Sequence, residues 1–341
     1  MSRYILSILL IICHISLNSK SFEEYDEIEL TNDSTLVTYF RNNLNSHTLG
    51  DIYVLDTTTI LTSFYEPLEN PYKLYQTLSN SGLAHKKLDF FYPTSIGFNT
   101  ELSSFQSYIR NQENIIFPIV AQPFTEIKYM MGDKKEQHLE VLFSREFLPN
   151  FFITLNYDID FSPGVYKRSK MQNSFFNGNL RYNTKNGRYG ISGYYYNNKI
   201  DIQESGGIKY DSVFINNIET DKSIIDVNLT GATNLIKVSG FAVDQYFNIS
   251  GNKSDGKNDS ISSRRFGIGR INHHFAYQRN RYIYEDTNPL SYFYQSFDHV
   301  IDSTKTSDSI YFHNVRNVIY WNNLGYKKYN NDIPFYLTFG I

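Results

Sequence analysis

Apolar and polar side chains alternate along most of this chain with the period of a β-strand. Between Thr125 and Met131, Thr125, Ile127, Tyr129 and Met131 share one side while Glu126 and Lys128 take the other. A turn is predicted at Gly132-Asp133-Lys134-Lys135. Beyond it, Leu139, Val141 and Phe143 oppose His138, Glu140 and Ser144. Pro149-Asn150 marks another turn. Phe151, Ile153, Leu155, Tyr157 and Ile159 then oppose Thr154, Asn156, Asp158 and Asp160. Successive side chains of a strand point to opposite faces, so each segment has one apolar and one polar face.

The same reading places Phe176, Gly178, Leu180 and Tyr182 opposite Asn177, Asn179, Arg181 and Asn183. Lys185-Asn186-Gly187 suits a hairpin, because Asn-Gly tolerates positive φ. Tyr189 to Tyr195 forms the returning strand. Ile225, Val227 and Leu229 predict a further strand, as do Phe266 to Tyr277, Val315 to Tyr326 and the closing Phe335 to Ile341. About ten strands follow Gln122, with no amphipathic helix among them. Short turns alternate with long polar loops at Gly251 to Ser263 and Thr287 to Ser309. Strands of about ten residues suffice to cross a bilayer when tilted, and short turns on one rim with long loops on the other are an outer-membrane habit. The predicted fold class is all-β: an antiparallel transmembrane β-barrel of about 10–14 strands.

Upstream the pattern is weaker. Asp51 to Leu61 reads as a strand, and Tyr75 to Ala84 as a loop. Ser21 to Thr48 is acidic and then Asn-rich, as solvated tails are. Residues 1–20 carry Arg3, an apolar core from Tyr4 to Leu17 and small or polar residues after it, which predicts a secretory signal peptide. The expected domains are therefore a signal peptide at 1–20, a periplasmic lead-in at 21–85 and a barrel at 86–341. Cys13 is the single cysteine and lies in the signal, so a disulfide framework, a cysteine-based zinc site and a thiol nucleophile are excluded downstream.

Composition changes this picture little. A net charge of −3 gives no basic face for nucleic acid. A mean hydropathy of −0.41 with 16% aromatic residues fits both a barrel wall and a soluble tyrosine-rich β protein.

Several local signatures then coincide in order: Leu78-Ser-Asn-Ser-Gly-Leu-Ala84, Gly97-Phe98, Pro123-Phe-Thr-Glu-Ile-Lys-Tyr129, Gly132-Asp-Lys-Lys-Glu-Gln137, and Gly164-Val-Tyr166 after Phe161-Ser-Pro. Together they resemble the putative porin family of Bacteroidota. The resemblance covers roughly Asp51 to Gly207 and, more loosely, the remainder. It implies an exported outer-membrane barrel with a porin-like role, and supplies no substrate and no functional residue. Members of that family are longer than this chain, which is therefore expected to be either a complete barrel or an N-terminal portion of one.

Chemistry is scarce. Gly267-Ile-Gly269-Arg270 lacks the third glycine and the following helix of a phosphate loop. His273 and His274 are adjacent on a strand and face opposite ways, so they do not share a metal. No Gly-x-Ser-x-Gly elbow is present. Neither an enzyme nor a cofactor is expected. What remains is the polar face, where Lys128, Glu140, Asn156, Asp158 and Arg181 are the candidate pore-lining residues. Mixed charges and amides suit a water-filled route for small hydrophilic solutes. Tyr182, Tyr189, Tyr194, Tyr195 and Tyr196 are expected to form an interfacial girdle. The expected partners are the lipid bilayer of the outer membrane, the barrel-assembly machinery and those solutes. A non-conducting structural barrel and a soluble secreted β protein binding a partner or glycan are the alternatives.

Overall fold

The computed structural model describes residues 37–41, 52–54, 74–78, 81–89, 103–120, 122–185, 187–250, 267–295, 306–322 and 338–340. The expected signal peptide lies outside them. Among the described residues fourteen strands form three sheets. The largest has nine antiparallel strands in chain order: β6 (Phe124–Met131), β7 (Gln137–Leu148), β8 (Phe151–Ser162), β9 (Met171–Asn183), β10 (Tyr189–Gln203), β11 (Ala232–Ser250), β12 (Gly267–Asp286), β13 (Thr306–Asn322) and β14 (Thr338–Gly340). Each strand pairs with the next, and among the described residues β6 and β14 pair on one side only. No described helix is long and apolar enough to cross a membrane.

Turn chemistry explains the first hairpins. Pro149 holds φ near roughly −65° and Asn150 takes φ +62, so two residues reverse the chain between β7 and β8. The Asn150 N–H donates to Glu146 Oε1 at 2.6 Å. The hairpin expected at Lys185–Gly187 joins β9 to β10, with Gly187 at φ +63. Connections on this rim have 2, 5, 16 and 15 residues (149–150, 184–188, 251–266, 323–337). Those on the opposite rim have 5, 8, 28 and 19 (132–136, 163–170, 204–231, 287–305). The expected segregation into short turns and long loops is thus only a bias, with the second rim the longer.

Two sequence expectations are corrected. Ile225, Val227 and Leu229 do not lie in a strand of the sheet. They fall in the 204–231 connection, where Val227 makes a single bridge with Ile208 and all three side chains are buried. The true strand, β11, begins three residues later and runs for 19 residues. The stretch Tyr75 to Ala84 is also more than a loop, since β3 (Tyr75–Thr77) pairs with β4 (His85–Lys87).

The strands lengthen from 8 residues in β6 to 19 and 20 in β11 and β12, about twice what a tilted strand needs to span a bilayer. The extra length has a different pattern. In the half of β10–β12 nearer the short rim, most outward positions are apolar: Ile191 and Tyr195, Phe241 and Val243, Ile271, Phe275 and Tyr277, with the pair Gln245 and His273 the polar exception. The inward positions there include Asp244, Asn248, Arg270 and His274. In the half nearer the long rim the phase inverts. Asn197, Lys199 and Asp201, Lys237 and Ser239, Arg279 and Arg281 now point outward, with the pair Leu235 and Ile283 the apolar exception, while Tyr196, Ile200, Ile202, Ile236 and Val238 point inward and are buried. The border runs along the paired row Tyr195–Phe241–Tyr277–Val315.

On β6–β9 the outward apolar set continues through Ile127, Tyr129, Val141, Leu155, Tyr157, Phe176 and Leu180. It reaches the row of Met131 and Phe161 on β6–β8, which the ladder carries to Ile283 on β12, whereas on β12 the same border stands at Tyr277, six residues away. The band therefore crosses the hydrogen-bonded rows obliquely, as a level band does on tilted strands.

Candidate functional site

The concave face of the sheet holds the polar residues and carries a second layer. The segment 103–120 contains two 3-10 turns, Gln106–Tyr108 and Gln112–Asn114, followed by β5 (Ile116–Ile119). β5 pairs with β1 (Thr38–Arg41), which also pairs with β2 (Ile52–Val54). Pro118 sits in β5, an edge strand of this sheet, where its missing N–H is tolerated. Phe105, Tyr108, Ile109, Ile115 and Phe117 pack with Met171, Phe175, Tyr194, Tyr196, Ile200, Ile202, Ile236 and Val238 in one buried cluster.

Aromatic contacts fix the layer further. The Phe117 ring stacks on Phe40 at 5.0 Å and meets Tyr194 edge-on at 5.6 Å. Gly82, at φ +79, lies against Met171, and a Cβ there would come within 2.2 Å of the Met171 side chain. Its N–H donates to Tyr108 Oη at 2.7 Å.

Polar groups tie the layer to the wall. Arg110 forms an ion pair with Asp158 of β8, whose side chain is only 2% exposed. The Arg110 N–H donates to Asn198 Oδ1 at 2.8 Å, and its guanidinium lies over the Phe175 ring. Asn198 donates in turn to Asn173 Oδ1 at 2.7 Å, and Asn173 to Asp160 Oδ2 at 2.9 Å. His138 completes this chain through Asp160. Asn179 donates to the Ile116 carbonyl at 3.2 Å. A linked set of buried amides and charges orients the segment where apolar packing alone would let it slide.

His85 supports the segment from below. Its Nε2 accepts the Ser107 N–H at 3.2 Å, and Nδ1 faces the Leu83 carbonyl at 3.4 Å. Nε2 is therefore unprotonated. Burial lowers the pKa of His85, an effect partly opposed by the bond to Leu83.

All five candidate polar residues share the concave face, but not one environment. Lys128 lies 3.7 Å from Glu140 and 3.2 Å from Glu126 on β6 and β7, and all three side chains are partly exposed. Asp158 is covered by Arg110, and Asn156 beside it is buried. Arg181 is held between the Phe152 and Phe40 rings, 4.5 and 5.4 Å from its guanidinium carbon. The tyrosine girdle needs correction: Tyr182 and Tyr195 are exposed on the outer face, but Tyr194 and Tyr196 point inward and are buried under the segment.

Sequence reasoning missed Arg110, Ile115 and Phe117. The unbroken apolar run Ile115 to Val120 is a signal for a strand buried on both faces. At the long rim, the 204–231 and 287–305 connections meet. Leu229 packs with Tyr294, and the Tyr294 hydroxyl donates to Asp286 at 2.7 Å. Among the described residues no cluster of His, Cys, Asp and Glu could hold a metal ion.

A family model described as a putative porin matches residues 36–341. No curated protein and no solved structure matches the chain.

Proposed function

The chain belongs to the putative porin family, and from that premise we propose that it is an outer-membrane β-barrel passing small hydrophilic solutes by diffusion. Membership implies a transport or structural role. The observation that carries the finer reading is the phase inversion along β10–β12. Its apolar-out half is what lipid requires of a wall, and its apolar-in half is what water requires. Closure follows from the same reasoning, since an open sheet edge cannot satisfy its backbone in hydrocarbon. The long rim then faces the exterior, as long loops do in outer-membrane barrels. The partly exposed strip of Lys128, Glu126 and Glu140 supplies a hydrated route beside the inner segment.

Labelling tests the membrane level. Single cysteines at Lys237 and Ser239, with Cys13 replaced, should react with a membrane-impermeant maleimide in proteoliposomes. Those at Phe241 and Val243 should be protected. Equal labelling at all four positions would remove the lipid-facing assignment.

A second reading rests on the inner segment. Residues 103–120 cover the concave face of β8–β12, so they narrow the lumen and set its conductance by remaining docked or releasing. Channels of wild-type size after cross-linking cysteines at Phe117 and Tyr194, which meet across the segment and the wall, with a short bifunctional maleimide would favour the open route. Lost conductance would favour gating by the segment.

A further inference from the structure

Above the apolar border, three cations stand side by side on the convex face. Lys199 of β10 is directly opposite Lys237 of β11, and Lys237 is directly opposite Arg281 of β12. Arg279 lies two positions nearer the border on the same face of β12. Directly paired positions have Cβ atoms about 5 Å apart, and like charges placed there destabilise a sheet. Only Lys199 of the row has a nearby anion among the described residues. Asp201 is 3.7 Å from Lys199, and among the described residues Lys237 and Arg281 have no acidic partner. The Nε of Arg281 is buried with no hydrogen-bond acceptor. Tyr311 of β13 braces the arginines, its ring lying 5.2 Å from the Arg281 and 6.0 Å from the Arg279 guanidinium.

The position of the row identifies its counter-ion. Lys199, Lys237 and Arg281 lie four residues above Tyr195, Phe241 and Tyr277 respectively, or about 13 Å along a strand. At an outer-membrane tilt this is roughly 10 Å along the membrane normal, at the headgroup layer. The row shares its face with the lipid-facing band and lies on the same three strands, directly beyond its border. We infer that Lys199, Lys237 and Arg281 bind the phosphate groups of a phosphorylated lipid in the outer leaflet, whose acyl chains lie on Tyr195, Phe241 and Tyr277. Guanidinium and ammonium donors suit phosphate oxygens, and long basic side chains reach along the wall towards them. The inference rests on the membrane reading given above.

Diphosphoryl lipid A, doped into dodecyl maltoside micelles with the full-length chain, is the probe. Binding is read by native mass spectrometry and by fluorescence titration. The wild type should bind it in a salt-sensitive manner and bind the dephosphorylated lipid far more weakly. K199Q/K237Q/R281Q should weaken binding on the order of a hundredfold, each charge contributing about a factor of five near an anionic surface. K167Q, which removes a loop lysine paired with Asp226, should leave it unchanged.

Undiminished binding by the triple variant, or equal affinity for the dephosphorylated lipid, overturns the inference. Displacement by inorganic phosphate at matching concentration overturns the lipid as its source. If the triple variant fails to fold, the charge-reversing single substitution K237E replaces it and must also weaken binding. A chain that inserts into bilayers with lipid binding unmoved by these changes refutes only the cation row; a chain that never needs detergent refutes the membrane reading beneath it.

Discussion

Replacing Arg110 should release the inner segment from the wall, and the asymmetry of its ion pair sets how much. Asp158 is 2% exposed in its side chain, while Arg110 is 26% exposed. Arg110→Gln therefore strands a buried carboxylate that has no route to water, which costs about 3–5 kcal/mol in comparable buried pairs. It also removes the cation from the Phe175 ring. Asp158→Asn leaves a guanidinium that reaches solvent, and should cost only about 1–3 kcal/mol, the worth of a charged hydrogen bond. The double variant removes both charges, so its cost should lie well below the sum of the two. The predicted coupling is at least about 2 kcal/mol. Hydrogen exchange of residues 103–117 in the detergent-solubilised chain reads the docking equilibrium directly. About 3 kcal/mol would accelerate exchange through the undocked state by roughly two orders of magnitude. Equal effects of R110Q and D158N, or strict additivity in the double variant, would refute the claim that this pair anchors the segment.

Other outcomes follow from the same geometry. Gly240→Val should lower thermal stability by about 1–3 kcal/mol, because a Cβ there would lie 2.6 Å from the Tyr277 carbonyl and 2.7 Å from the Tyr196 hydroxyl. Gly193→Ala, with nothing within 4 Å, should be neutral in the same melting assay. Leu155→Arg, on the outward band at 44% exposure, should cost about 2–4 kcal/mol when folding is titrated in lipid vesicles; a neutral result would mean that this face meets water.

Acid should loosen the segment, because the folded pKa of His85 lies below its ordinary 6.5. Above that value neither the docked nor the released state binds a proton, so the group contributes nothing. As pH falls through it the released state is protonated first, and Nε2 loses the Ser107 bond. The protection factors of residues 103–108, exchange taken relative to its intrinsic rate at each pH, should therefore fall below about pH 6.5 in the wild type and show a flatter profile in His85→Gln.

The sequence made the wall legible where alternation had one phase. β6 to β9 carry lipid-type alternation, so the faces of Lys128, Glu140, Asn156, Asp158 and Arg181 were readable from spacing alone. β11 was not. Its inward residues Ile236, Val238 and Ala242 are apolar because the segment packs on them, while Phe241 and Val243 are apolar on the other face. Apolar residues on both faces erase the period-two contrast, and the shorter Ile225–Leu229 alternation drew the strand instead. Tyr194 and Tyr196 were misplaced for the same reason. The docked segment left only its own apolar run as a local trace, since its partners lie far along the chain: Arg110 meets Asn198 at a separation of 88 residues.

Ion conductance across a planar bilayer, after addition of the detergent-purified chain, tests the central claim most directly. Discrete, reproducible current steps are predicted, with a larger step or longer open time in R110Q as the segment loosens. Silence from both proteins, once inserted into the bilayer, would contradict a solute-passing barrel.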